Sequence, residues 1–131
     1  RILRGEIPSH TVFEDDGFVV IMDAMPQAPG HCLVIPKAPS RNLLDADDAV
    51  LAKAIALVKK VARAAKTAFA ADGINIMQYN EPAAGQTVFH LHFHIIPRHA
   101  DVPLKPHTGQ MAPAAELAAS AGKLKAALEA L

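Results

Sequence analysis

Three histidines stand on alternate positions in one run, His90-Leu91-His92-Phe93-His94-Ile95-Ile96-Pro97, with apolar residues between them. A period of two is the period of a strand, whose successive side chains point to opposite faces. The run predicts a strand from about Thr87 that sends Phe89, Leu91, Phe93 and Ile95 into a core. His90, His92 and His94 then share the other face, about 6.5–7 Å apart in sequence order. Three of the seven histidines of the chain lie in this row. Such a concentration of imidazole marks a chemical site rather than ordinary surface.

The rest of the chain supplies partners for that strand. Thr11–Glu14, the turn Asp15-Asp16-Gly17 and Phe18–Met22 read as a hairpin. A loop with Pro26, Pro29 and Gly30 leads to a strand opened by His31 and stopped at Pro36. From Asp47 to Ala71, Leu51, Ile55, Val58, Ala62, Ala65 and Phe69 recur at helical spacing. Asp45 or Asp47 caps the start and Gly73 ends it. Ile74–Tyr79 alternates as a further strand. An Ala-rich helix starts near Pro113 with Leu117, Ala121, Leu124, Leu128 and Leu131 as its stripe. The expected fold is α+β, an antiparallel sheet of about five strands with a long helix and a C-terminal helix. The 131 residues form one domain, with 99–131 as a loop-plus-helix extension.

Charge narrows the function. Lys plus Arg and Asp plus Glu are both 13, so the formal charge is zero. A general electrostatic grip on nucleic acid or on a membrane surface is not expected. Nor is a transmembrane segment, since no apolar run has the length. The lone cysteine, Cys32, lies in an apolar run and reads as a buried core thiol. A cytoplasmic protein is expected, because nothing demands an oxidising compartment.

Three uses of the row compete. A metal ion can take two neighbouring histidines, but His90 and His94 are about 13 Å apart on an extended strand and no carboxylate lies nearby in the sequence. Neutral imidazole is a nucleophile toward phosphorus, and neighbouring imidazoles can donate protons to phosphate oxygens or to a leaving group. A pH-sensing interface is the third. Flanking residues favour phosphate chemistry. Gly85 lets backbone approach a ligand, and Asn80, Gln86 and Thr87 are neutral donors just before the row. No cofactor and no metal is expected.

The segment Gln86-Thr87-Val88-Phe89-His90-Leu91-His92-Phe93-His94-Ile95-Ile96 resembles the signature of the histidine-triad (HIT) family. Glu6-Ile7-Pro8, Phe13-Glu14-Asp15, Asp23, Pro26-Gln27-Ala28-Pro29-Gly30-His31 and Val34-Ile35-Pro36-Lys37 are similar to family segments in family order. The likeness runs from Arg1 to about Arg98. It implies a homodimeric fold that binds purine nucleotides, and attack of a histidine on the α-phosphate to give a nucleotidyl-histidine that water resolves. By position His92 is the nucleophile and His94 contacts the phosphate and assists the leaving group. His90 and His31 hold the network in the productive tautomer. Asn80, Gln86 and Thr87 match positions that contact phosphate or leaving group. Asp23 matches the acceptor for both ribose hydroxyls, while Ile2, Phe13 and Met22 wall the base or belong to the core. Some bacterial relatives hold structural zinc through Cys-x-x-Cys and a later histidine; here that later position is Pro39 and no Cys-x-x-Cys occurs.

Two substrate classes remain open, dinucleoside polyphosphates and nucleoside phosphoramidates. Arg98 and His99 are expected to be available to a second phosphate, which favours the former. A nucleotide-binding regulatory module with little turnover, or a His-ligated metal site, are the alternatives.

Overall fold

The computed structural model describes residues 10–104 and 112–131. Five strands form one antiparallel sheet: β1 (Thr11–Glu14), β2 (Phe18–Met22), β3 (Cys32–Pro36), β4 (Gly73–Met77) and β5 (Phe93–Arg98), in the order β1-β2-β3-β5-β4. The predicted α+β architecture is the observed one. β1 and β2 form the hairpin, in which Asp15 Oδ1 accepts from the Gly17 and Phe18 N–H groups. β5 lies between β3 and β4, so the strand that carries His94 is central.

The sheet has two unlike faces. Phe18, Val20, Met22, Cys32, Val34, Phe93 and Ile95 pack with helix α1 (Asp48–Ala68) and helix α2 (Ala114–Glu129) in one core. Val19, Ile21, Leu33 and Ile35 make a second, smaller cluster. Alternation puts Asp23, His31 and His94 on that second face.

Asp47 caps α1 as expected, its carboxylate accepting from the Ala49 and Val50 N–H groups. The buried stripe keeps Val58 and Ala65 of the expected set but is rotated from it. Ala54, Val58, Val61, Ala64 and Ala65 face the sheet, and Ile55 is 59% exposed. Three alanines on that face bring the helix close to the sheet, and the larger Leu51 and Phe69 pack at the margin of the core. The helix ends at Phe69 rather than at Gly73, which is the first residue of β4. Ala70 makes the reversal at a positive φ of 49°.

Candidate active site

The histidine strand begins later than its alternation predicts. β5 starts at Phe93, and residues 88–92 are irregular. Leu91, Phe93 and Ile95 enter the helix-side core as expected, but Phe89 is exposed and lies beneath the Arg41 guanidinium, 4.3 Å from the ring centroid. The ladder explains the break. β3 pairs with β5 only as far as Val34↔Phe93, and β4 only as far as Met77↔His94.

His94, the first histidine on the sheet, is flanked by Leu33 and Met77. Across β3, His31 is fully buried just before Cys32. The Gln27 N–H donates to His31 Nδ1 at 3.0 Å. A backbone N–H only donates, so Nδ1 carries the lone pair and Nε2 the proton. Nε2 lies 2.9 Å from His94 Nδ1 and 3.4 Å from Asp23 Oδ2. His94 Nδ1 accepts in turn, which puts the His94 proton on Nε2. The ring of His94 lies 5.1 Å from that of His31, 5.0 Å from that of His92 and 5.6 Å from Tyr79. Tyr79 is a member of this cluster that no spacing rule pointed to. Its hydroxyl donates to Met77 Sδ at 3.2 Å, which fixes the ring beside His94.

His92 is oriented differently. Its Nδ1 lies 2.7 Å from the His90 carbonyl, which can only accept, so Nδ1 holds the proton and Nε2 the lone pair. His90 does not join the cluster through its ring. Its Nε2 donates to the Pro36 carbonyl at 2.6 Å, and its backbone oxygen is what meets His92. Thus His31 and His90 each fix a tautomer, one through a ring nitrogen and the other through the main chain.

Asp23 sits opposite His31, joined by a backbone bond from the Asp23 N–H to the His31 carbonyl. Its Oδ1 accepts from the Met25 N–H at 2.8 Å, so the buried carboxylate shapes the loop as well as facing the imidazoles. No carboxylate is near the row in the sequence, but the fold brings Asp23 to it in space. Ligand atoms of Asp23, His31 and His94 lie within 4.8 Å of one another, a spacing that a cation could use.

Other expected contacts are redirected. Met22 is buried in the helix-side core, because alternation gives Asp23's face to Ile21. Phe13 also packs on the helix side: a bulge between Thr11 and Phe13 turns it with Val12 toward the cleft lined by Leu57 and Leu128. Neither stands with the histidines. Ile2 lies outside the described residues. Gln86 Nε2, read as a phosphate donor, donates to the Arg41 and Val88 carbonyls at 2.7 and 3.0 Å. Asn80 Oδ1 accepts from the Leu43 N–H and from Gln78 Nε2, while its Nδ2 donates to Gln78 Oε1. Thr87 is exposed on the same loop. Arg98 and His99, expected to meet a second phosphate, have partners elsewhere. Arg98, four residues along β5 from His94 and about 13 Å away, donates to Asn75 Oδ1, and His99, just past the strand, donates from Nε2 to the Phe69 carbonyl.

Cys32, next to His31 in the sequence, turns its thiol into the helix-side core. Burial, with the Asp23 carboxylate adding to it, pushes the thiol from 9.0 up to about 12. It stays protonated and inert at neutral pH.

The HIT domain profile matches residues 4–101. The chain belongs to the histidine-triad family. Among HIT-family structures, a HIT-like protein from Bartonella henselae described as involved in cell-cycle regulation is 54% identical with a TM-score of 0.88. That alignment covers 96% of this chain and 92% of the Bartonella protein. A HIT-like protein of uncharacterised function from Borreliella burgdorferi is 42% identical over 100 residues, 75% of this chain and 72% of its own length. An adenylylsulfatase from Arabidopsis thaliana is 39% identical over 98 residues, 75% of this chain but half of the plant protein. No helix of the described residues is long and apolar enough to cross a membrane.

Proposed function

We propose that this HIT protein is a purine-nucleotide hydrolase or nucleotidyl transferase that works through His92. The observation that carries the reading is the hydrogen bond of His92 Nδ1 to the His90 carbonyl. In the neutral ring this leaves the lone pair on Nε2, the form that attacks phosphorus. Nε2 bonds to the α-phosphorus and the bond to the leaving group breaks. The N–H at His94 Nε2, set there by the His31 hydrogen bond, donates a hydrogen bond to the leaving atom, which takes its proton from water. Water then resolves the nucleotidyl-histidine. Asp23 receives the ribose hydroxyls, and Ile21 on the same face is a better wall for the base than Met22.

A hydrogen bond from His94 suits a leaving nitrogen, the more basic acceptor, and Arg98 and His99 have partners elsewhere. Both favour nucleoside phosphoramidates over dinucleoside polyphosphates. The adenylylsulfatase relative adds mixed anhydrides of the nucleotide to the substrates worth assaying. The working unit is a cytoplasmic homodimer in this reading. β4 is the outer strand of the sheet, and its Ile76 is 44% exposed, a surface suited to a second copy.

Rapid mixing with an adenosine phosphoramidate and with a diadenosine polyphosphate tests the mechanism. A burst of amine and an AMP adduct on His92, found by mass spectrometry, are expected. An adduct on His90 or His94 overturns the assignment. The spacing of Asp23, His31 and His94 supports a second reading, a catalytic cation. Activity that chelation abolishes and zinc alone restores would establish that reading instead.

A further inference from the structure

His90 and His92 precede β5, so no sheet ladder holds them. Something else must, because His92 depends on the His90 carbonyl. The segment 40–43 meets the loop 80–91 through an unusual density of side-chain bonds. Asn42 and Gln86 are both buried. Asn42 Nδ2 donates to Gln86 Oε1 at 3.1 Å and to Glu81 Oε2 at 2.8 Å, while its Oδ1 accepts from the Leu44 N–H. Gln86 Oε1 also accepts from the Glu81 N–H, and its Nε2 donates to the Arg41 and Val88 carbonyls. Outside this pair, the Arg41 fork grips Glu81 and lies over Phe89. Glu81 is held at φ 78° and ψ 154°, a conformation that favours glycine. Strain of that kind persists only where neighbours over-determine the backbone. One step on, the Leu91 N–H donates to the Ser40 carbonyl between the two histidines.

We propose that Asn42 is a positioning residue, which with Gln86 substitutes for the missing ladder and sets the backbone from which His90 and His92 project. This rests on the reading of His92 as nucleophile. Asn42 is buried, with its side chain bonded to Gln86, Glu81 and the Leu44 N–H; it acts through Gln86 and Glu81 on the main chain that presents His92. Gln86, placed by its position in the motif among phosphate contacts, belongs to the same device, since both hydrogens of its amide go to carbonyls.

The test is Asn42→Asp, which keeps the acceptor for the Leu44 N–H, loses the amide donor and sets a carboxylate beside Glu81. A misplacement of about 1 Å can cost 10²-fold, so kcat is expected to fall tenfold to a hundredfold while KM moves less than about threefold. Nitrogen-15 spectra of the His92 ring should show wild-type Nδ1 protonated and the variant a mixture of tautomers. Gln86→Glu, which keeps the acceptor and loses the donors, should act in the same direction, and serves if Asn42→Asp does not fold. A folded variant with wild-type kcat and an unchanged His92 spectrum overturns the proposal, as does a loss confined to KM. If the wild type turns over no nucleotide, the reading of His92 fails, whereas the spectra still decide whether Asn42 sets its tautomer.

Discussion

The two halves of the histidine row are held by different physics. From Phe93 onward the chain is a central strand with neighbours on both sides, and His94 is locked by register. Upstream, His90 and His92 stand on irregular backbone tied down by buried amides and one exposed ion pair. Ladder bonds are placed by the main chain and tolerate many side chains. Amide ties depend on particular atoms, and losing one leaves buried polar groups unmatched. The placement of His92, the proposed nucleophile, is therefore more fragile to mutation than that of His94.

Breaking the loop half gives the largest effect. His92→Ala should abolish nucleotidylation while leaving the melting temperature within a few degrees, since its ring is outside the core; calorimetry and adduct mass together check this. On the ladder half, Asp23→Ala should lower nucleotide affinity tenfold or more, as hydrogen bonds to charged groups contribute roughly 1.5–3 kcal/mol. Its preference for ribose over deoxyribose should vanish, and titration calorimetry with AMP and dAMP reads both. Unchanged AMP affinity would reduce Asp23 to a loop-capping residue.

Gly30→Ala attacks the ladder half through its entry loop. Gly30 has φ 87°, and a Cβ there would stand 2.7 Å from the Phe69 ring. Strain of about 1–3 kcal/mol is expected, seen as a lower denaturation midpoint with weaker nucleotide binding through displaced His31. A midpoint equal to wild type would mean that Phe69 yields without cost.

The smallest effect separates the halves by pH. The Arg41 and Asn42 hydrogen bonds hold the Glu81 carboxyl below its ordinary value of 4.5, and bonds from the Asn42 and Arg41 N–H groups do the same for Asp45. A depressed carboxyl contributes stability above its unfolded value and loses it as pH falls through the folded one. Below about pH 4.5 the loop 80–91 should therefore open before the sheet does. Hydrogen exchange at the Leu91 amide should accelerate there relative to Ile95, by a modest factor because these carboxylates face solvent. Equal acceleration at both would remove the distinction between the halves.

The fold was legible wherever a periodic apolar pattern met a turn signal. The Asp15-Asp16-Gly17 hairpin, the Asp47 cap and the buried side of Leu91, Phe93 and Ile95 all follow that way. The row itself misled at its first members, because alternation in the sequence continues where pairing partners have run out. Met22 took the core alternative, since one residue on a strand is one whole face. Phe13 took it too, through a bulge that is invisible in the sequence. Gln86, Arg98 and His99 carry the right chemistry for phosphate, but their partners are 23 to 45 residues away or across a turn, and nothing local reveals such commitments. Asn42 and Tyr79 escaped notice for the same reason.

The bond from the Gln27 N–H to His31 has one more consequence. That amide hydrogen cannot leave, so Nδ1 of His31 is a closed terminus. The His31–His94 pair is then polarised one way, from the Gln27 amide through His31 Nε2 to His94 Nδ1, with the Asp23 carboxylate beside the second link. His94 thereby presents an N–H at Nε2, which gives hydrogen bonds and cannot receive them. The direction of the relay alone thus selects for ligand atoms that carry a lone pair.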